Sequence, residues 1–383
     1  MNLEDLDRAE QRFAAATDMT VGLEEEFSLL DPESLDLVPR YEELRAATDL
    51  DPVLREGVAG ELISSEIEVI SGAGANFADA VARQRERRGR MFSLAAEHGV
   101  ALGATGTHPW ADYRCQPIID TDHYRRVEEG LKYVAWRNNT FSLHVHAGVN
   151  GIDRAVRVCD RLRPVLPQLL AVSANSPFLD GRDSGLHSAR TQSFTKSFPR
   201  CGVPDHFGGW QAYREYIEFL LATRSIVEFT QVWWSVRPHF SFGTVEVRIC
   251  DAQATAGESE ALAALILACI AQALRDVDEG VPFEAPAPRL VEENMWRAIR
   301  FGLDGSLIDL PAAAELPARA AMERLLAWSE PARAELGLLE PVFPERNGAQ
   351  RQYAMLAAGA SREEVFAASV AETARTYPQE VPV

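Results

Sequence analysis

Polar and apolar residues alternate with a period of two along several stretches of this chain, and the polar positions carry unusual chemistry. The clearest stretches are residues 22–27, 61–69, 142–147 and 244–249. Side chains two apart on a strand point to the same face. Glu24 therefore pairs with Glu26, Glu66 with Glu68, His144 with His146, and Glu246 with Arg248. The pattern predicts strands over 20–31, 61–71, 100–106, 139–149, 229–236 and 243–251, the last two as a hairpin around Pro238. A period near 3.6 predicts helices over 3–16, 121–137, 210–222, 258–277 and 290–301. A further helix over 76–98 is capped by Asn76 and stopped by Gly99. Another over 153–174 breaks near Pro164. Strands with one polar and one apolar face favour an antiparallel sheet. The expected fold class is α+β: a curved, mostly antiparallel sheet with its site on the polar face and helices packed on the outer face. The long polar stretch 175–204 holds Arg182, Arg190 and His187, and a loop of that length inside a compact chain points to function.

Composition narrows the field. The 383 residues suffice for two domains or for one large sheet with helical layers. Hydrophobic residues at 46% and charged ones at 25% are ordinary for a globular protein. The net charge of −19 argues against nucleic acid or an anionic membrane surface as partner. An anionic small molecule stays compatible, because local arginines and metal ions override the global field. Five cysteines stand apart with no CxxC spacing, which reads as free thiols in a reducing compartment. The acidic N-terminus is unlike a signal peptide, and no apolar run reaches membrane-spanning length. A cytoplasmic location is expected. The chain has no GxxxxGK[ST], no strand-linked GxGxxG and no GxSxG, so a P-loop, a dinucleotide fold and a hydrolase elbow are unsupported.

A face bearing that many carboxylates and imidazoles is costly unless cations neutralise it. A cluster of divalent ions is the simplest neutraliser, and magnesium prefers hard oxygen ligands. Each pair also has a plainer reading. Glu24 and Glu26 could be charges guarding an edge strand. Glu66 and Glu68 could pair with the arginine-rich helix that follows, and Glu61 has the opposite parity unless a bulge intervenes. His144 and His146 could hold zinc, complete a magnesium site or be hydrogen-bonded core residues. Glu246 beside Arg248 offers a carboxylate for metal and a guanidinium for phosphate, or a simple ion pair.

Taken in order, the strings resemble the glutamate–cysteine ligase type 2 (carboxylate–amine ligase) family of the glutamine-synthetase-like superfamily. They are Val21-Gly22-Leu23-Glu24-Glu25-Glu26-Phe27, the Glu61 to Glu68 strand, Leu143-His144-Val145-His146, Ser173-Ala174-Asn175-Ser176-Pro177-Phe178 running into Gly181-Arg182-Asp183-Ser184-Gly185, Val245-Glu246-Val247-Arg248, and Glu293-Asn294-Met295-Trp296-Arg297-Ala298. No string matches beyond Asp309. The resemblance implies a glutamine-synthetase-like funnel with ATP at one end, amino acids at the other and Mg2+ (or Mn2+) between. It implies one catalytic domain over 1–383, with a helical C-terminal portion from about 285, assembled as a homodimer or larger. The implied reaction takes small molecules only: ATP activates the γ-carboxylate of L-glutamate as an acyl phosphate, and L-cysteine displaces phosphate to give γ-glutamylcysteine. Activity on that pair is often weak in the family. Carried over by position, Glu24, Glu26, Glu68 and Glu246 hold metal, with His146 as a further ligand. Arg248 stabilises the transferring phosphoryl group, and Arg182 and Arg190 bind carboxylate or phosphate. Asn294, Arg297 and Arg300 share a helical face that closes on the nucleotide. Phe141-Ser142 and His187 depart from the family pattern, where small residues and an aromatic are expected. Competing expectations are the same chemistry on another acid and amine, a zinc amidohydrolase built on His144 and His146, and a silent sensor of ATP or amino acids.

Overall fold

The computed structural model describes residues 3–338 and 345–378. The expected domain over 1–383 also includes 1–2, 339–344 and 379–383, which lie outside the described residues.

Seven strands form the main sheet: β1 (Val21–Leu30), β2 (Val58–Ala59), β3 (Glu66–Ile70), β4 (Ala101–Gly103), β5 (Ser142–Gly148), β6 (Val236–His239) and β7 (Thr244–Asp251). The order is β6-β7-β5-β1-β3-β2, with β4 also on β1. Every pairing is antiparallel. The register fixes the faces. Glu24 lies opposite His144, Glu26 opposite Glu68, Glu246 opposite His146, and Arg237 opposite Glu246. Directly opposed residues share a face, so the polar pairs converge on one side. The odd positions Leu23, Phe27, Ile67, Val69 and Val145 are buried on the other.

Helices cover that apolar side. The Phe77–Glu97 helix starts where Asn76 accepts a hydrogen bond from the Asp79 amide, and packs on β1 and β3. Gly99, at φ +67°, ends it in a left-handed turn. The apolar Ala256–Asp278 helix packs on β5, and the expected break near Pro164 is a 3-10 turn between Ile152–Leu162 and Leu166–Ser173. Among the described residues the C-terminal portion holds four helices and a hairpin, Ser306–Asp309 with Ala314–Pro317, that the periodicity did not predict. Its last helix is tied back by Thr373, which donates to the Ala254 carbonyl, and by Tyr377, which donates to that of Gln253. No helix among the described residues is long and apolar enough to cross a membrane.

Three expected boundaries move. The hairpin turn falls after His239, not at Pro238, with Gly243 at φ +67°. Pro238 sits inside β6, an edge strand, where its missing N–H costs no ladder bond. Residues 229–236 are not one strand: Phe229–Gln231 is a 3-10 turn, and Trp233–Trp234 pairs with Cys201–Gly202 outside the main sheet. Regular pairing of β3 begins only at Glu66, so residues 61–65 escape its parity.

Candidate active site

The polar face forms the floor of a cavity of about 230 Å3. Glu24 and Glu26 from β1, Glu66 and Glu68 from β3, Glu246 and Arg248 from β7, and Arg237 and His239 from β6 all line it. Glu61 joins them from the irregular segment before β3. Strand alternation and cross-strand register place these groups together, and only Glu61 depends on loop geometry.

The spacing is close. His144 Nδ1 is 2.9 Å from Glu24 Oε2, and His146 Nε2 is 3.1 Å from Glu24 Oε1. His144 Nε2 faces the Ser142 hydroxyl at 2.8 Å, and the Ser142 amide donates to Glu26 at 2.5 Å. Arg237 donates to Glu246 at 2.6 Å, and Arg248 donates to the other Glu246 oxygen. Burial opposes ionisation of Glu246, but Arg237 and Arg248 outweigh it and hold the carboxyl well below its ordinary range. Burial likewise opposes ionisation of Glu24, and the charge of His146 with the hydrogen bond from His144 reverses the balance. Arg248 acts on Glu61 and Glu68, and Arg237 on Glu61, but these charges do not outweigh burial. Burial and neighbouring carboxylates push Glu61 up to about 8, and Glu66 and Glu68 well above the usual range.

Three sets of ligand atoms converge, each within 4.8 Å: Glu24, Glu68 and His144; Glu24, His146 and Glu246; and Glu26, Glu61 and Glu68. Both carboxylate oxygens of Glu66 and one of Glu68 are buried with no hydrogen-bond partner. Buried carboxylates left unpaired are costly, and hard oxygen donors shared between adjacent sets suit magnesium or manganese. The two imidazoles fall in different sets, so an ion held by both is not the arrangement seen.

Other expected site residues lie elsewhere. Arg190 lines the cavity, but two of its nitrogens donate to the Ile249 and Arg248 carbonyls and it stands 3.8 Å from Asp251. It braces β7 as much as it faces a ligand. Arg182 is exposed on a hairpin with Phe178–Leu179, turned by Asp180 and Gly181 at positive φ, and does not line the cavity. Asn294 is spent on both backbone groups of Ile308, Arg297 pairs with Glu315, and Arg300 donates to the Gly185 carbonyl. Asn294 and Arg297 meet the C-terminal hairpin and Arg300 the polar loop instead of closing on the acidic cluster, because i, i+3 spacing fixes a face but not its neighbour. Two cavity residues missing from the expected set, Arg237 and His239, do carry the two-apart signal. Reading Pro238 as a turn hid it.

The model of the glutamate–cysteine ligase family 2 matches residues 20–372. A protein named "Putative glutamate--cysteine ligase 2" from Solibacter usitatus is 38% identical over 341 residues, which cover 87% of this chain and 88% of that one. "Putative glutamate--cysteine ligase 2-3" from Rubrobacter xylanophilus is 40% identical over 363 residues, covering 93% and 97%. Among solved structures, a glutamate–cysteine ligase from Francisella tularensis in complex with AMP superposes with a TM-score of 0.69 at 11% identity, covering 95% of this chain and 91% of that one. A bifunctional glutathione synthetase from Pasteurella multocida gives 0.69 at 14% identity; this chain is covered to 97% but spans only 54% of that longer one. At such identities the two structures show a shared fold, whereas the family model and the relatives decide membership. The chain belongs to the glutamate–cysteine ligase family 2, and with it to the ATP-dependent ligases that form C–N bonds.

Proposed function

We propose that this enzyme joins a carboxylic acid to an amine through an acyl phosphate, with L-glutamate and L-cysteine as the first pair to test. The observation that supports the reading is the row of three ligand sets that ends at the Glu246–Arg248 pair. On this reading the sheet's polar face lines the glutamine-synthetase-like funnel, and residues 1–383 act as one catalytic domain.

A carboxylate and an amine do not condense in water, because hydroxide is a poor leaving group. In the first step a carboxylate oxygen attacks the γ-phosphorus of ATP. The bond to the bridging oxygen breaks, and ADP leaves with its electron pair. In the second step the amine nitrogen attacks the acyl carbon, phosphate departs with the C–O electrons, and the nitrogen loses a proton to solvent or a cavity carboxylate. Magnesium or manganese at the ligand sets would screen the phosphate charge and fix its orientation. Arg248, held beside Glu246, stands ready to stabilise charge on the transferring group. Arg237 keeps Glu246 ionised from the other side. The Ser142 amide fixes Glu26. Positioning and charge neutralisation carry this chemistry, and no covalent nucleophile is required.

Phosphate release from ATP and magnesium, scanned over single amino acids and then pairs, tests the reading. Release that requires glutamate and cysteine together, with a dipeptide product, is the expected result. Release with another pair keeps the mechanism and replaces the substrates. No release with any pair, alongside stoichiometric bound zinc, would overturn it in favour of a hydrolase.

A further inference from the structure

Strand β7 does not run regularly to its end. Its register against β5 is continuous from Thr244 to Val247 and then shifts, so that Arg248 and Ile249 together oppose the single residue His144. This is a β-bulge, which opens the ladder locally and re-aims a side chain. Ile249 and Cys250 carry its mark. Strand parity would send these neighbours to opposite faces, yet both lie in the same apolar core. The bulge falls at Arg248, whose side chain borders the cavity beside Glu246.

Buried carbonyls at a bulge still need partners. Those of Arg248 and Ile249 find theirs in one buried side chain. Arg190 donates from Nη2 to the Arg248 carbonyl at 3.1 Å and from Nη1 to the Ile249 carbonyl at 2.9 Å. The Arg248 amide is fixed separately, by the Ser235 carbonyl at 2.9 Å. The Arg248 side chain is held less firmly. Among the described residues its guanidinium bonds to Glu246 alone, and its Nε is buried without a partner. The backbone therefore sets where Arg248 points.

Arg190 is itself seated by the strand it braces. It stands on the short helix Ala189–Ser193, and its amide donates to the Ser176 hydroxyl at 3.1 Å. Buried Asp251, the last residue of β7, accepts from the Asn175 amide at 2.8 Å and the Ser176 hydroxyl at 2.6 Å, and meets the Ser188 hydroxyl at 2.9 Å. One carboxylate thus ties both ends of the 175–190 stretch to β7, and the Arg190 fork returns to the same strand at the bulge.

We infer that Arg190 is a positioning residue: it locks the β7 bulge and so aims Arg248 at the transferring phosphoryl group, and it binds neither the acid nor the phosphate itself. The inference rests on the ATP-dependent ligase reading.

Phosphate release by the full chain, with ATP, magnesium and the amino-acid pair that supports it, tests the inference in Arg190→Lys, Arg248→Ala and the double variant. Arg248→Ala should lower kcat by about a hundredfold. Arg190→Lys keeps the charge but loses the planar fork that spans two carbonyls. It should lower kcat by about tenfold and leave KM for ATP and for the acid within about twofold. In the Arg248→Ala background the same substitution should cost less than about twofold, because the group it aims is gone. Asp251→Asn disturbs the seat from its other end and should repeat the loss in kcat alone, which guards against a folding defect in one variant. Hydrogen exchange over residues 244–251 needs no substrate and should quicken in Arg190→Lys. A rise in KM for the acid, a loss that adds fully to that of Arg248→Ala, or unchanged exchange overturns the positioning role and leaves the ligase reading standing. A wild-type chain that releases no phosphate with any pair overturns the ligase reading, and the inference with it.

Discussion

Metal binding should release protons from this protein at neutral pH. Glu61, Glu66 and Glu68 are pushed up by burial and by each other, Glu61 to about 8. At pH 7 without metal Glu61 holds a proton that a free glutamate loses at about pH 4.3. Metal ions bind the ionised carboxylate. Magnesium added at pH 7 should therefore expel protons, that of Glu61 among them. At pH 9 the number should fall, because Glu61 is already ionised. The same linkage sets how metal-free stability varies with pH. A folded-state value above the unfolded one adds stability that is complete below the unfolded value and is lost as pH rises through the folded one. For Glu61 the window runs from the ordinary glutamate range to about 8. A shift of that size has a ceiling of about 5 kcal/mol, and Glu61 is only half-buried, so water screening reduces it. Magnesium at one hundred times its dissociation constant adds back about 2.7 kcal/mol, a few degrees in Tm. That gain should be larger at pH 8 than at pH 5. Calorimetry in buffers of different ionisation enthalpy counts the protons, and thermal melts with and without magnesium follow the stability. A binding enthalpy independent of buffer, with a magnesium-induced Tm shift that does not grow with pH, would refute the reasoning.

Four substitutions at three positions separate the site from its surroundings. Glu246→Ala leaves buried Arg237 and half-buried Arg248 without their carboxylate, and should cost about 3–5 kcal/mol in thermal or urea unfolding and abolish phosphate release. Glu246→Gln keeps the shape and should lose turnover with a smaller fall in Tm. Asn294→Ala removes both bonds to Ile308 and should cost about 1–3 kcal/mol while turnover per folded molecule stays unchanged. A collapse in turnover of folded protein would restore Asn294 to the site. Arg182→Ala, on its exposed hairpin, should move stability by less than about 0.5 kcal/mol and leave the KM of every substrate unchanged.

Strand parity was legible wherever the backbone is a regular strand. It places Glu24, Glu26, Glu66, Glu68, His144, His146 and Glu246 on one face, and the register repeats that arrangement. It failed where regularity ended. Glu61 has the wrong parity for β3, yet the chain from 61 to 65 bends and delivers its carboxylate to the cavity. Arg237 and His239 flank a proline that reads as a turn, although an edge strand accommodates it. Tertiary packing was the least legible. Asn294, Arg297 and Arg300 do share a face, but no local pattern says that a later hairpin and the polar loop meet it. Arg182 and Arg190 look alike in the polar loop. One lands on a surface turn, while the other is drawn inward, where Ser176 and Ser188 bond to buried Asp251.

The sheet itself offers a criterion for telling a structural carboxylate from a functional one. Glu25 and Glu66 sit on adjacent strands, and both are buried. Glu25 points to the helical side. There Gln84 donates at 2.8 Å, Arg88 donates at 3.2 Å and Ser259 adds a third bond. Arg88 also reaches Glu260 and lies over the Tyr377 ring. Its charge is answered by the protein alone, and the network clamps two helices and the C-terminal segment onto β1. Glu66 points to the other side, and neither of its oxygens has a protein partner. Folding does not leave a buried carboxylate unanswered without a cost of several kcal/mol. The answer on that face must come from outside the chain, as a proton, a cation or a substrate. Glu24, shared by two ligand sets, stands between these extremes. Its imidazole partners hold it ionised but do not exhaust its oxygens, which leaves it able to take a cation as well.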